Sequence, residues 1–245
     1  MMTWLGHATV LLDIDGTRLL TDPVLGDRIG PLVRIAASVR LDAPDTLDGV
    51  LLSHLHADHA DVSSLRRVAR RLPVLAPHGA GRWLTRLGLR EVHELSPGDE
   101  LSVGSLTTRA TPAQHGRSRH PLGPKADPIG HLVLGSRRVY FAGDTDLFPA
   151  MADLQGSVDM ALLPIWGWGR SLGPGHLDPT RAAEAAALIA PTSVVPIHWG
   201  TFALSKFLHP ANDVQLPARQ FAALVRQRAP AVEVRVLAPT ETIDL

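Results

Sequence analysis

Cysteine is absent from this chain. Disulfides and thiolate metal sites are therefore excluded, and any metal the protein holds must be held by His, Asp or Glu. The absence fits a reducing compartment. Lysine is nearly absent too: the basic residues are arginines except Lys125 and Lys206. Charge of one sign is lacking, since 24 basic and 24 acidic residues cancel. Nothing in that balance favours nucleic acid or an anionic membrane as partner. No uncharged run approaches the roughly 20 apolar residues of a membrane-spanning helix. Asp13 and Asp15 stand where a secretory apolar segment would lie, with no basic lead before them. A soluble cytoplasmic protein with no transmembrane segment is the expectation. There is no internal repeat, low-complexity segment or long linker. Hydrophobic residues make up 45% of the 245, enough for a full core.

What is present is a dense block of ligand-type side chains, Ser53-His54-Leu55-His56-Ala57-Asp58-His59. Neutral imidazole and carboxylate are the usual ligands of zinc and similar divalent metals. The preceding Gly49-Val50-Leu51-Leu52 reads as the end of a buried strand, so the block sits on a loop where the backbone can bend. Four donors so close rarely all reach one metal, and a split into His54 plus His56 and Asp58 plus His59 suggests two. The bland alternative is a His-rich polar turn; the length and chemical coherence of the block argue against it.

The rest of the chain reads as strands with intervening helices. Thr9–Ile14 and Thr17–Thr21 around Asp15-Gly16 predict a hairpin. Leu25–Asp48 is punctuated as a loop with short structure. Strands are expected at Leu47–Ser53, Pro73–Ala76, Val92–Leu95, Glu100–Val103, Leu106–Thr111, Met160–Pro164, Val194–Ile197 and Val232–Leu237. A second hairpin is expected from Ile129–Leu134 and Arg137–Ala142. Apolar spacing predicts helices at Ser63–Leu72, Ala80–Leu87, Pro179–Ile189 with Asp178 as N-cap, and Leu216–Arg228. The simplest arrangement is one domain over residues 1–245, two packed sheets with helices outside.

Three further ligand candidates follow strand-like runs: His115, Asp144 and His198. Strand ends of a packed scaffold open on one edge, so these loops can meet there. His54, His56 and His115 would then hold one metal, and Asp58, His59 and His198 the second. Asp144 would bridge the two. Paired metals roughly 3.5–4 Å apart clamp the attacking and leaving oxygens of a displacement.

The H-x-H-x-D-H block, His115, Asp144 within Gly143-Asp144-Thr145, and His198 resemble the metallo-β-lactamase superfamily across nearly the whole chain. The resemblance implies an α/β (α+β) fold, a four-layer αββα sandwich. Trp4-Leu5-Gly6-His7-Ala8-Thr9, Thr21-Asp22-Pro23, His176-Leu177-Asp178-Pro179 and Ile197-His198-Trp199-Gly200-Thr201-Phe202 resemble the branch of N-acyl-phosphatidylethanolamine phospholipase D. Ascorbate-phosphate lactonase belongs to a related branch. These resemblances imply a hydrolase dependent on two divalent ions, Zn2+ or Mn2+. Lack of cysteine argues against antibiotic hydrolysis, and His56, where diiron relatives carry Glu, favours hydrolysis over oxygen chemistry.

Water held between two divalent cations loses its proton near neutral pH, toward a pKa of ~7. The expected substrate is a small-molecule phosphodiester, lactone or related ester; a non-catalytic metal-binding protein is the alternative from another class. Asp58 and His176 are the candidate catalytic residues, His176 as proton donor to the leaving group or as a plain loop histidine. Asp22 is read as steadying a ligand histidine, or as a turn residue before proline. His7 supports the site or is structural. Arg117 and Arg119 either pair with a substrate phosphate or form a solvated loop. Trp166 and Trp168 either wall a pocket or pack structurally. The remaining histidines, His78, His93, His120, His131 and His209, read as surface or structural.

Overall fold

The computed structural model describes residues 1–39, 46–167, 173–204 and 214–245. Trp168, His209 and part of the 25–48 segment lie outside the described residues. The first half contains β1 (Met2–Gly6), β2 (Thr9–Ile14), β3 (Thr17–Thr21), β4 (Arg28–Ile29), β5 (Leu32–Arg34) and β6 (Gly49–Leu51). Then follow α1 (Val62–Val68), β7 (Pro73–Pro77), α2 (Gly81–Arg86) and β8 (Glu91–Leu95). The second half contains β9 (Glu100–Val103), β10 (Leu106–Pro112), β11 (Ile129–Leu134), β12 (Arg138–Phe141), a 3-10 turn at Pro149–Leu154 and β13 (Met160–Pro164). It closes with α3 (Pro179–Ile189), β14 (Ser193–Ile197), β15 (Phe202–Ala203), α4 (Leu216–Arg228), β16 (Glu233–Val234) and β17 (Thr242–Ile243).

Two seven-stranded sheets result, ordered β17-β1-β2-β3-β6-β7-β8 and β16-β14-β13-β12-β11-β10-β9, with a small β15-β5-β4 sheet beside them. Each large sheet begins as an antiparallel meander and continues as parallel strands, from β3 in one and β12 in the other. Side-chain alternation sorts the layers, because successive residues of a strand face opposite sides. In the first sheet Met2, Trp4, Leu19, Leu51 and Leu75 join the core that also contains the second sheet. Their neighbours Leu5, Leu20, Val50, Leu52, Val74 and Ala76 pack instead with Leu65, Val68 and Leu84 of α1 and α2. On the far side, Ala182, Ala183, Ala185 and Ala186 bury the small-residue face of α3 in the core beside Phe221 and Val225 of α4. The order of layers is helix, sheet, sheet, helix. Among the described residues no helix is long and apolar enough to cross a membrane.

The first hairpin turns on Asp15 (φ 51°) and Gly16 (φ 76°) in register Ile14↔Thr17, the twisted two-residue turn that Asp-Gly favours. Pro179–Ile189 and Leu216–Arg228 form helices with the bounds expected, and Asp178 caps α3 by accepting from the N–H groups of Thr180 and Arg181. Two expectations need correction. α1 stops at Val68, short of Leu72, because Pro73 disfavours helical backbone in the residue before it. The expected strand Val232–Leu237 pairs only at Glu233–Val234. Pro196 of β14 has no N–H to continue the ladder beyond the bond from Arg235 to Val194. The strands at Met2–Gly6 and Thr242–Ile243, which pair with each other, have no strand expectation in the sequence reading.

Candidate metal centre

Six strands deliver polar residues to one edge. Asp22 follows β3, His54 lies three residues past β6, His115 three past β10, Asp144 three past β12, and His198 directly after β14. Trp166 follows β13. Because β10 and β12 are both antiparallel to β11, they run the same way, and β12, β13 and β14 are mutually parallel. Carboxyl-end crevices of such sheets are where ligands bind.

His54, His56 and His115 form one group whose ligand atoms lie within 4.8 Å of one another. His115 Nε2 lies 2.9 Å from His56 Nδ1. Among the described residues the buried Nε2 of His54 has no hydrogen-bond partner. His7, Asp58, His59 and His198 form a second group by the same criterion. His59 Nε2 lies 3.0 Å from His198 Nε2. Asp144 reaches His59 Nε2 through Oδ2 at 3.2 Å and His198 Nε2 through Oδ1 at 3.3 Å. It also forms a third group with His115 and His176, whose Nε2 is 3.7 Å from Asp144 Oδ2.

The outward nitrogen of each imidazole is tied to an oxygen. His56 Nε2 donates to the Ser118 carbonyl at 3.0 Å, His115 Nδ1 to the Gly175 carbonyl at 2.7 Å, and His198 Nδ1 to the Trp166 carbonyl at 2.5 Å. His59 Nδ1 donates to Asp22 at 2.7 Å. Ser53 Oγ donates to the same Asp22 oxygen at 2.5 Å and accepts from His54 Nδ1 at 3.0 Å. With the proton fixed outside, the inner nitrogens of neutral rings carry lone pairs. Those of His56 and His115, 2.9 Å apart, cannot share a hydrogen bond, but stand close to the spacing of about 3.3 Å between ligands held 2.0–2.1 Å from zinc. His59 differs in the metal-free chain: burial would lower its pKa, but Asp144 and Asp22 hold it well above the ordinary value, so its inner nitrogen keeps a proton that a cation would displace. The residues present thus fit a divalent cation.

Electrostatics agree with a site made for positive charge. Burial, then neighbouring His59 and His115, push the pKa of His54 well below the ordinary value. Burial pulls His115 down to about 4. Burial and the nearby His198 pull His7 to about 3, outweighing Asp58. Burial alone would raise Asp144, yet His198 and His59 hold its carboxyl well below the usual range. The same opposition holds Asp58 low, through the hydrogen bond from His7 and the fields of its histidines.

His7 has a positive φ of 52° that its neighbours fix: its N–H donates to Thr201 Oγ1, and its carbonyl accepts from Trp4 Nε1 and the His198 N–H. Its ring lies 3.7 Å from that of His198, and its Nε2 3.2 Å from Asp58 Oδ2. Trp166 packs against the core, and its carbonyl accepts from His198 Nδ1. Both arginines have protein partners. Arg117 is exposed and paired with Asp127, and Arg119 donates to the carbonyls of Leu55 and Ala60. His131 is buried in the core and donates to the Leu52 carbonyl, and His78 and His120 are exposed. The sequence reading missed Ser53 as the link between Asp22 and His54, although its place beside the block was a signal. It also missed the carbonyls of Ser118, Gly175 and Trp166, for which side-chain identity carries no signal.

A family model described as the beta-lactamase superfamily domain matches residues 17–199. An N-acyl-phosphatidylethanolamine-hydrolyzing phospholipase D of Caenorhabditis elegans is 31% identical over 247 residues, 87% of this chain and 68% of that protein. A metal-dependent hydrolase of Desulforamulus reducens is 32% identical over 212 residues, 83% of this chain and 86% of that protein. The structure of Igni18, a metallo hydrolase from Ignicoccus hospitalis, superposes with a TM-score of 0.73 at 24% identity, covering 99% of this chain and 98% of that one. The chain therefore belongs to the beta-lactamase superfamily and is one of its metal-dependent hydrolases.

Proposed function

We propose that this hydrolase works with two divalent cations and cleaves a phosphodiester or related ester of a small molecule. The first cation would be held by His54 Nε2, His56 Nδ1 and His115 Nε2. Asp58, His59 Nε2 and His198 Nε2 would hold the second, with Asp144 shared between them. One observation carries the reading: imidazoles whose outer nitrogens are committed to oxygens turn their inner nitrogens toward each other in two neighbouring groups. The all-nitrogen-and-oxygen donor set suits zinc first and manganese second. Bound there, such cations polarise a substrate oxygen and lower the pKa of water toward ~7, so no serine nucleophile is needed.

The chain's own residues then divide the work. Asp22 fixes the ring of His59 directly and that of His54 through Ser53. His7 holds Asp58 in place through the 3.2 Å contact of its Nε2 with Asp58 Oδ2. His176, half-buried beside Asp144, would give a proton to the departing oxygen. The named activity of the C. elegans relative supports a phosphodiester. A lactone would need the same machinery, and a metal-binding protein without turnover is the remaining alternative. We read residues 1–245 as one hydrolase domain, and the cysteine-free composition suits the cytoplasm.

Metal content, with turnover of bis-p-nitrophenyl phosphate against simple lactones, tests the reading. Two cations per chain and preference for the diester are expected. Asp144→Ala should abolish turnover and lose the second cation; full activity with normal metal content refutes the assignment. Bound metal with no turnover on either class would favour the non-catalytic alternative.

A further inference from the structure

The Arg119 guanidinium is engaged by the backbone of the ligand block. Nη1 donates to the Leu55 carbonyl at 2.7 Å and to the Ala60 carbonyl at 2.9 Å. These two residues flank His56, Asp58 and His59. The turn's own backbone bonds run from the N–H groups of His59 and Ala60 to the His56 carbonyl. The guanidinium lies 4.6 Å from the centre of the Trp83 ring, which holds it in place from α2. Two carbonyl dipoles converging on one point repel each other; a cation between them converts that repulsion into two charge-assisted bonds.

The backbone that carries Arg119 is itself braced. Ser118 bridges to Lys125, the N–H of Arg119 donates to the Pro124 carbonyl, and Ala126 donates to the Arg117 carbonyl. The Ser118 carbonyl orients His56, and His115 lies three residues earlier. One short segment thus presents one candidate ligand, orients His56 and brackets the turn bearing His56, Asp58 and His59.

We infer that Arg119 is a positioning residue that clamps the His56–His59 turn from behind, so the ligand atoms are set before a cation arrives. Without the clamp, ordering the turn would be charged against metal affinity. The affinity consequence rests on the proposed metal centre; the clamp itself is a property of the metal-free chain.

The test uses the full chain with Arg119→Met and Arg119→Lys. Zinc affinity is read by competition with a chromophoric chelator. Amide hydrogen exchange at His59 and Ala60 is read in metal-free protein, and KM and kcat on bis-p-nitrophenyl phosphate at saturating zinc. The Met variant should lose about 10–100-fold in zinc affinity. Its exchange at the two amides should rise about tenfold relative to the core strands. Its KM should stay within about twofold, because the guanidinium binds carbonyls and not substrate. The Lys variant should recover part of both losses. Unchanged zinc affinity and exchange in a folded Met variant overturn the inference, even if its Tm falls. So does a KM raised about tenfold with zinc affinity unchanged, which would make Arg119 a substrate contact. If the Met variant does not fold, Trp83→Leu carries the test: both readouts should move in the same directions, and neither moving overturns the clamp. A wild-type chain that binds no zinc sinks the metal centre, and the exchange difference alone then decides the clamp.

Discussion

Asp22 is fully buried, and its carboxylate accepts from the Ser53 N–H, the Ser53 hydroxyl and His59 Nδ1. It thereby sets the tautomer of one ring in each proposed ligand group. Asp22→Asn keeps the shape but replaces an acceptor oxygen by a donor, so it cannot serve Ser53 and His59 together. Metal affinity should fall about 10–100-fold, measured by chelator competition. An unchanged affinity would mean that the ring orientations are set elsewhere. The same residues make the metal-free protein acid-sensitive. His7 and His115 titrate at about 3 and about 4 when folded, against about 6.5 for the free side chain. Between those values the unfolded chain binds protons that the folded chain refuses. Stability therefore falls as pH drops from about 6.5 toward 4, by about 1.4 kcal/mol per pH unit for each such histidine. His54, His56 and His198 shift in the same direction. His59 opposes them. Burial would lower it, but Asp144 and Asp22 hold it well above its ordinary value. Its contribution is complete below about 6.5 and is lost as pH rises through the raised pKa. The buried His131 is lowered as well, so with one histidine against six, chelator-treated protein should unfold at lower urea concentration at pH 5 than at pH 7; equal midpoints would contradict the balance. At this scale the H-x-H-x-D-H block was legible because its residue types and spacing are themselves the chemistry. The oxygens behind the rings were not, since every residue has a carbonyl and only the fold decides which one faces a histidine.

Elements deliver these side chains through short strand-to-loop turns, and those turns tolerate little. Gly143, between β12 and Asp144, has φ 61°, and a Cβ there would stand 2.3 Å from Ser53 Cβ. Gly143→Ala should shift Asp144 and Ser53 apart, lowering both Tm and metal affinity. A variant with the wild-type values of both would show that this close approach is not needed. Strands that are apolar along their whole length, such as Met160–Pro164, were readable because buried parallel strands are near-continuous hydrophobic runs. The hairpin at Asp15-Gly16 and the α3 cap at Asp178 were readable from local turn and capping chemistry. What was not legible depends on partners far along the chain. Met2–Gly6 becomes a strand by pairing with Leu12 and with Ile243, and the early end of the last parallel strand follows from Pro196 in its neighbour.

Across the whole molecule, two half-structures of similar design pack face to face, and the candidate site lies at one edge of that packing. Contacts across that edge join the halves directly: the Ile129 N–H donates to the Ser53 carbonyl, and the His198 N–H to the His7 carbonyl. A pair of cations would lie on this seam and stabilise the fold by mass action, roughly 4 kcal/mol when free metal exceeds Kd about a thousandfold. Helix and sheet order could be anticipated from periodicity and chain order, whereas the convergence of seven side chains at one edge depends on how the two sheets face each other. The central claim is the paired cation site, and anomalous diffraction at the zinc edge from crystals grown with zinc measures it most directly. Two peaks roughly 3.5–4 Å apart are expected, one among His54, His56 and His115, the other among Asp58, His59 and His198, with Asp144 between them. A single peak, or peaks away from these residues, would contradict it.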